Sequence, residues 1–342
     1  MRRRDFLVLA AGFGLSAREL RADHHILSIE PLIVDFDLGS LRGQYTRVDD
    51  FYIRNHFDAP QQTGSYGLRI EGEVGEAQQL NLEQLQRLPL REMGSVLECA
   101  GDPVKVTSLV SDGLWRGWHL ADVLALTKPK RDAAYVHLFG ADGFGRSVPL
   151  ERAINSGLLV NSLNGRPLTR NHGAPWRALI PGWYGMDSVK WLEKIVLAPA
   201  PLPPAGQTYM EVWRASSGGF ETKALPPVQV KSLIASPRDG AVVERGKLPI
   251  RGVAWSGSGS ISRVEVTADS GNRWLSASIR RSISRFDWVV WQASLEANGA
   301  GPIELACKAT DSSGNTQPPK RDPRRIDSYA CNVWDRVRCL IV

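Results

Sequence analysis

The proline-rich stretch at residues 198–206 limits most strongly how this chain can fold. It reads Ala-Pro-Ala-Pro-Leu-Pro-Pro-Ala-Gly. Proline lacks a backbone N–H and fixes φ, so neither a helix nor a central strand can run through such a stretch. The chain has 342 residues, and a length of this order is typical of about two domains. We therefore predict that one domain ends near residue 200 and that another follows it.

The sequence before this stretch predicts mixed α+β structure. A strand-like run at 68–72 is followed by a short helix over 82–87, for which Asn81 is a suitable N-cap, and by a second short helix over 120–126. The leucines of the helix over 120–126 are expected to pack inward.

The sequence after this stretch predicts a small antiparallel β-sandwich. Alternating apolar and polar residues at 264–268, 286–293 and 303–309 are separated by turns rich in Gly, Ser, Asn and Asp. We predict four segments, namely a signal segment at 1–22, an α+β domain at 23–200, a linker at 201–225 and the β domain at 226–342.

The N-terminus has the pattern of an export signal. Arg2, Arg3 and Arg4 precede Asp5-Phe6-Leu7 and a short apolar run at 8–15. This run is too short to span a bilayer, which needs about 20 apolar residues. The paired arginines resemble a twin-arginine signal, which predicts export of a folded protein to the periplasm. No later stretch is apolar for long enough to predict stable membrane insertion.

The basic balance of the chain does not indicate a nucleic-acid-binding protein. The formal net charge is +6, but residues 226–342 carry 17 Lys and Arg against 11 Asp and Glu, which accounts for all of it. No basic tract interleaved with aromatic residues occurs, as nucleic-acid binding would require. The four cysteines, at 99, 307, 331 and 339, are too few for a disulfide framework, and pairing of Cys331 with Cys339 stays open.

Four segments of the first domain contain side chains suited to chemistry. A thiolate at Cys99 is a ligand for a soft or high-valent metal, and Ala100 and Gly101 leave room for a bulky group to reach its sulfur. His172 and Arg177 can present a ring nitrogen and a guanidinium to a phosphate or a heteroaromatic ring. Each segment alone also fits a structural role. The third segment is Arg54-Asn55-His56, and the fourth is the stretch 180–191, in which we predict that Lys190 lies on a strand.

Taken together and in this order, these segments resemble the sulfite oxidase family. The shared signatures are Arg-Asn-His at 54–56, Cys-Ala-Gly at 99–101, His-Gly-x-Pro-x-Arg at 172–177 and the stretch from Pro181 to Leu192. Beyond the linker, residues 230–234, 252–257 and 332–338 resemble the immunoglobulin-like dimerisation domain of that family. The resemblance implies a molybdopterin-binding domain followed by an immunoglobulin-like β-sandwich, and a homodimer.

The resemblance also implies a Mo-molybdopterin cofactor and roles for individual residues. Cys99 is expected to ligate molybdenum, Arg54 to face an oxyanion substrate, and Tyr209 to be the substrate-facing tyrosine, with Trp213 as its alternative. The cofactor-binding residues implied by the family are Asn55, His56, Asp142, His172, Arg177, Ser188, Val189 and Lys190. Because no Cys-x-x-Cys-His haem motif is present, electrons are expected to leave to a separate carrier such as a cytochrome.

One departure from the family pattern affects the substrate. The cysteine turn continues as Asp102-Pro103-Val104-Lys105, where family members that oxidise sulfite usually have Asn and then arginines. Sulfite or a related small oxyanion is the expected substrate. Reduction of an S-oxide or N-oxide with the same cofactor is the alternative, and a non-enzymatic binding or assembly protein is the alternative of another class. A papain-like Cys/His hydrolase is disfavoured, since no activating His lies at a recognisable spacing.

Overall fold

The computed structural model of the protein describes residues 26–61, 67–102, 108–203 and 209–342. The predicted twin-arginine segment at 1–22 lies outside these ranges and stays a prediction, and Lys105 of the cysteine turn also lies outside them. Within the described residues no helix has the length and the apolar character needed to cross a bilayer.

The described residues before residue 200 form thirteen strands and three short α-helices. The strands are β1 (Ile26–Ile29), β2 (Leu32–Val34), β3 (Ile53–Arg54), β4 (Leu68–Gly72), β5 (Gln78–Leu80), β6 (Leu90–Glu98), β7 (Val110–His119), β8 (Tyr135–Gly140), β9 (Gly145–Pro149), β10 (Leu158–Leu163), β11 (Arg166–Pro167), β12 (Arg177–Leu179) and β13 (Leu192–Ala198). The helices are α1 (Leu82–Gln86), α2 (Leu120–Ala125) and α3 (Leu150–Ser156).

These strands form two five-stranded sheets and one three-stranded sheet. One large sheet has the order β5-β4-β13-β8-β9, in which β4 and β13 run parallel. The other has the order β11-β10-β7-β6, with β12 paired to β10. The predicted helices α1 and α2 are confirmed. Asn81 caps α1 in a reciprocal capping box, since Asn81 and Gln84 each accept a hydrogen bond from the other's backbone N–H through a side-chain oxygen.

The part after residue 209 consists of a hairpin and two sheets, and it contains no helix. Its strands are β14 (Met210–Arg214), β15 (Phe220–Ala224), β16 (Lys231–Ser236), β17 (Ala241–Val243), β18 (Gly246–Trp255), β19 (Ile261–Thr267), β20 (Leu275–Ser276), β21 (Ser278–Arg280), β22 (Val289–Ala297), β23 (Gly301–Asp311) and β24 (Asp335–Ile341). The sheet orders are β16-β18-β22-β21 and β17-β24-β23-β19-β20. The β14–β15 hairpin lies within the segment 201–225, which the sequence predicts to be a linker.

The two sheets of four and five strands confirm the predicted β-sandwich, with one local exception. The strand expected over 286–293 begins only at Val289. Residues 284–287 form a turn instead, because the Asp287 carboxylate accepts the Ser284 N–H while the Asp287 N–H donates to the Ser284 carbonyl. All four cysteines are free thiols, so Cys331 and Cys339 are not paired.

One group of buried apolar side chains belongs to both parts of the chain. Phe51 and Trp115 from the first part share it with Val253, Trp255 and Trp288 from the second. The Trp288 indole N–H also donates to the Gln44 carbonyl at 2.6 Å. A core that spans both parts ties their stabilities together.

Trp288→Ala tests this coupling. The side chain is fully buried, and its removal is expected to lower the free energy of unfolding by about 3–5 kcal/mol. Thermal unfolding followed by circular dichroism should show one transition in the wild type and one in the variant at lower temperature. Ile283→Ala, at a side chain that is 98% exposed, is the control and should change little. Two separate transitions, with only the later part of the chain destabilised, would contradict a shared core.

Candidate active site

A pocket of about 710 Å³ lies where β6 ends. The structure brings together at this pocket nearly all the candidate residues that the sequence indicated. The candidates that line it are Arg54, His56, Cys99, Asp142, His172, Arg177, Ser188, Val189, Lys190 and Tyr209. Asn55 does not line the pocket but is 1% exposed, and its side-chain oxygen accepts a hydrogen bond from the Lys190 ammonium.

Cys99 is the first residue after β6, in a turn closed by backbone hydrogen bonds. Its N–H donates to the Leu109 carbonyl at 2.9 Å, and its carbonyl accepts the Asp102 N–H at 3.0 Å. Burial raises the pKa of the Cys99 thiol, while the Gly101 N–H and the Arg54 guanidinium lower it. A metal that takes this sulfur as ligand must therefore displace a proton from it.

Two cations lie against the pocket, namely the buried Arg177 and the partly buried Lys190. Their hydrogen-bond acceptors are neutral. Arg177 donates to the carbonyls of Ser188, at 2.6 Å, and His172, at 3.3 Å, while Lys190 donates to the Asn171 carbonyl at 2.9 Å as well as to Asn55. Neither forms an ion pair with a carboxylate of the described residues.

The pKa values of these groups report the cost of burying positive charge. Burial lowers the pKa of Arg177 to about 10 and that of Lys190 well below its usual value, and the neighbouring Arg177 lowers the pKa of Lys190 further. Burial, with Lys190 and Arg177 nearby, lowers the pKa of His172 to about 3. An anionic group bound here would relieve this cost.

The backbone around Lys190 differs from the sequence prediction. Lys190 is not on a strand, because β13 begins only at Leu192. Trp191 adopts a φ of 50°, a left-handed conformation that is unfavourable for a bulky residue and is found mostly where surrounding contacts enforce it. Here the Trp191 indole N–H donates to the Arg170 carbonyl at 2.7 Å. Gly173 has no Cβ, which would lie 3.1 Å from the Lys190 side chain, so the lysine can pass close to the loop.

Tyr209, Arg54 and His56 form the other side of the pocket. The Tyr209 hydroxyl lies 3.3 Å from His56 Nδ1. Burial, followed by the charge of Arg54, lowers the pKa of His56, and burial raises the pKa of Tyr209. At neutral pH both groups are therefore uncharged, and they lie within hydrogen-bonding distance of each other.

The structure also distinguishes Tyr209 from its alternative, Trp213. Trp213 lies on β14, where its indole N–H donates to Glu211 at 2.9 Å, and it is not among the pocket residues. Sequence reasoning missed Tyr329, whose ring centroid is 5.3 Å from that of Tyr209. It also missed Tyr52, Phe144 and Met186, which line the pocket. These residues have no local pattern that marks them, and Tyr329 reaches the site from the second part of the chain.

Comparison with known proteins assigns both parts of the chain to described domains. Residues 56–204 match the family model "Oxidoreductase molybdopterin binding domain", and residues 222–341 match "Mo-co oxidoreductase dimerisation domain". The sulfite oxidase of Gallus gallus is 31% identical over 84% of this chain and 71% of its own length. The sulfite oxidase of Arabidopsis thaliana is 30% identical, over 84% of this chain and 86% of its own.

The mitochondrial sulfite oxidase of Homo sapiens is 31% identical, and this chain spans 61% of its length. Among solved structures, the sulfane dehydrogenase SoxCD from Paracoccus pantotrophus is similar, with a TM-score of 0.83 and 25% identity over 92% of this chain and 87% of that one. The chain belongs to the sulfite oxidase family. It is a molybdenum-dependent oxidoreductase whose cofactor is Mo-molybdopterin, and its second domain is of the immunoglobulin-like dimerisation type.

The pocket residues fit this cofactor. The thiol of Cys99 suits a high-valent metal, and the cations Arg177 and Lys190 suit a phosphate. The Asn55 side-chain nitrogen is buried with no hydrogen-bond partner among the described residues. Although Asn55 does not line the pocket, it is hydrogen-bonded to Lys190, which does, so a group bound beside Lys190 is the expected partner of this donor.

His172→Gln tests the burial of an uncharged imidazole. Between about pH 6.5 and 3 the unfolded chain binds a proton at His172 that the folded, cofactor-free protein does not bind, so stability falls as pH falls through this range. The difference amounts to up to about 1.4 kcal/mol per pH unit. In urea unfolding of the cofactor-free protein from pH 7 to pH 4, the variant should therefore lose less stability than the wild type. Parallel pH profiles would contradict the assignment.

Proposed function

We propose that this protein oxidises sulfite, or a related small sulfur oxyanion, at a molybdenum centre ligated by Cys99. The observation that carries the proposal is the position of the Arg54 guanidinium, which lines one pocket together with the Cys99 thiol and the Tyr209 hydroxyl. A cation beside the metal-binding sulfur suits an anionic substrate better than a neutral one. The printed names of the similar proteins, sulfite oxidase and sulfane dehydrogenase, support a sulfur substrate.

The proposed cofactor-binding residues act by charge and by hydrogen bonding. Arg177, Lys190 and the Ser188–Val189 segment bind the phosphate end of the pterin, where an anion offsets the buried positive charge. His172, Asn55, His56 and Asp142 contact its polar edges, and the unpartnered Asn55 N–H supports this role. When bound, the cofactor supplies two-electron oxo-transfer chemistry, which the protein itself cannot supply.

The proposed catalytic residues position the substrate. Cys99 gives up its thiol proton to become a metal ligand. Arg54 binds a substrate oxygen through a charge-assisted hydrogen bond, and the Tyr209 hydroxyl, oriented by its contact with His56, lies at the same pocket. The aromatic and apolar walls, including Phe144 and Met186, exclude water and so strengthen these contacts.

We also propose that the protein acts as a periplasmic homodimer that passes electrons to a separate carrier, such as a cytochrome. The dimerisation-type domain at 222–341 supports the homodimer. The arginines at positions 2–4 followed by a short apolar run support twin-arginine export.

Cys99→Ser tests the metal site. The wild-type protein, purified from the periplasmic fraction of a host that makes molybdopterin, should contain molybdenum close to stoichiometric with the chain. The variant should lose most of it, because a serine hydroxyl is a harder and less acidic ligand than a thiol. Cys331→Ser, at a partly exposed cysteine of the second domain, is the control and should retain the metal. A metal-free wild-type protein would contradict the proposed function.

Arg54→Gln tests the substrate class. Loss of a charge-assisted contact costs about 1.5–3 kcal/mol, so KM for sulfite in a dye-coupled assay should rise roughly 10-fold to 100-fold. Arg116→Gln, at an exposed arginine of β7, should leave KM unchanged. If the wild type ignores sulfite but reduces methionine sulfoxide with a reduced dye, the reductase alternative replaces this proposal.

A further inference from the structure

A buried lysine of the second domain reaches the turn that contains Cys99. Lys231 is the first residue of β16 and is 0% exposed. Its ammonium lies 2.9 Å from a carboxylate oxygen of Glu98 and 2.9 Å from one of Asp102. These two acidic residues are the last residue of β6 and the residue that closes the turn, so they lie on either side of Cys99 along the chain.

The remaining oxygens of both carboxylates are also bound. The second oxygen of Glu98 accepts the indole N–H of Trp255 at 2.8 Å, and the second oxygen of Asp102 accepts the N–H of Leu109 at 2.8 Å. Both carboxyls are at most 2% exposed. Lys231 and Trp255 belong to the second domain, so that domain holds Glu98 through two independent hydrogen bonds.

The second domain also binds the turn through the backbone. The Ala330 N–H donates to the Ala100 carbonyl at 2.7 Å. The ring of Tyr329 would lie 3.9 Å from a Cβ placed on Gly101. The second domain therefore contacts Glu98, Ala100 and Asp102 at once, and these residues lie on both sides of Cys99 along the chain.

The ion pairs of Lys231 with Glu98 and Asp102 are expected to fix the conformation of the turn, and the reason is electrostatic. Two carboxylates buried side by side repel each other, and each is costly to bury without a partner. One ammonium between them holds them at a fixed separation, and the residues between them along the chain, including Cys99, are constrained with them. Without the ammonium, the turn would have to move to bring the carboxylates to water or to protons.

We propose that Lys231 is a positioning residue that fixes the orientation of the Cys99 sulfur toward the metal. This inference rests on the proposed function, in which Cys99 is the metal ligand. The inference extends that function because a residue of the second domain, which is of the dimerisation type, then supports the metal centre. Groups that support a metal ligand commonly change metal affinity or activity about 10-fold to 100-fold when removed.

The test compares three variants of the full-length, metal-loaded protein. Lys231→Met removes the ammonium and keeps most of the side-chain volume. Trp255→Phe removes the indole N–H that binds Glu98 but leaves the ion pairs intact. Arg238→Met is the control, because it removes an exposed ion pair with Asp37 that also joins the two parts of the chain.

Two measurements report on the sulfur directly, namely the position of the thiolate-to-molybdenum absorption band and the rate of molybdenum loss on dialysis. For Lys231→Met we expect a shifted band and metal loss about 10-fold faster or more. For Trp255→Phe we expect a smaller shift, and for Arg238→Met neither change. The melting temperature of Lys231→Met should also fall, by about 5 °C or more.

The outcomes separate the two proposals. If the wild type shows no thiolate-to-molybdenum band, the proposed function fails. If the wild type shows the band and Lys231→Met has the same band and metal retention at a lower melting temperature, Lys231 is only a structural residue and the inference is overturned. If Lys231→Met does not fold, Trp255→Phe decides, and an unchanged band in that variant overturns the inference.

Discussion

Buried charge is the constraint on which the active-site region depends. One group of charges lines the pocket, and another lies outside the pocket lining, next to the Cys99 turn. On the pocket side, the buried Arg177 and the partly buried Lys190 donate to neutral oxygens. Behind the turn, Glu98 and Asp102 are buried against Lys231. Ions removed from water have to be neutralised by a partner, and the protein meets this need differently on the two sides.

The carboxylates of Glu98 and Asp102 have their ionic partner, Lys231, within the chain itself, so these ion pairs form once the two domains have docked. On the pocket side the hydrogen-bond acceptors of Arg177 and Lys190 among the described residues are neutral, and the positive charge of these two side chains suits a group that arrives with negative charge. This asymmetry fits a protein that binds an anionic cofactor of the molybdopterin type. The cationic wall would favour binding, and the ionic contacts behind the turn would keep the sulfur in place.

The shared core makes the two domains one unit. Trp255 contributes both to that core and to the hydrogen bond with Glu98, and Trp288 is anchored to the backbone of the first domain. Changes in the packing of the β-sandwich are therefore transmitted to the residues next to Cys99. A dimerisation-type domain in this position can affect the chemistry of the site through packing alone.

The sequence by itself determined the local structure and the identity of the site. The Asn81 cap, the amphipathic helices and the alternating strands are short-range signals, and the signatures around Cys99 and His172 are contiguous, so all of them can be read along the chain. The sequence-based prediction that Lys190 lies on a strand was wrong, because Trp191 takes a left-handed conformation that only its surroundings impose. The sequence also left Tyr209 and Trp213 as alternatives, since both follow the proline-rich stretch.

Only the tertiary structure decided which residues meet. Lys231 and Glu98 are 133 residues apart along the chain, and nothing in the local pattern around Lys231 distinguishes it from an exposed lysine of an edge strand. Tyr329 and Ala330 reach the cysteine turn in the same way, across the domain boundary. Residue types and spacing determine what chemistry a segment can perform. The partners of a buried charge are determined by how the domains pack, because charges are matched through space and not along the sequence.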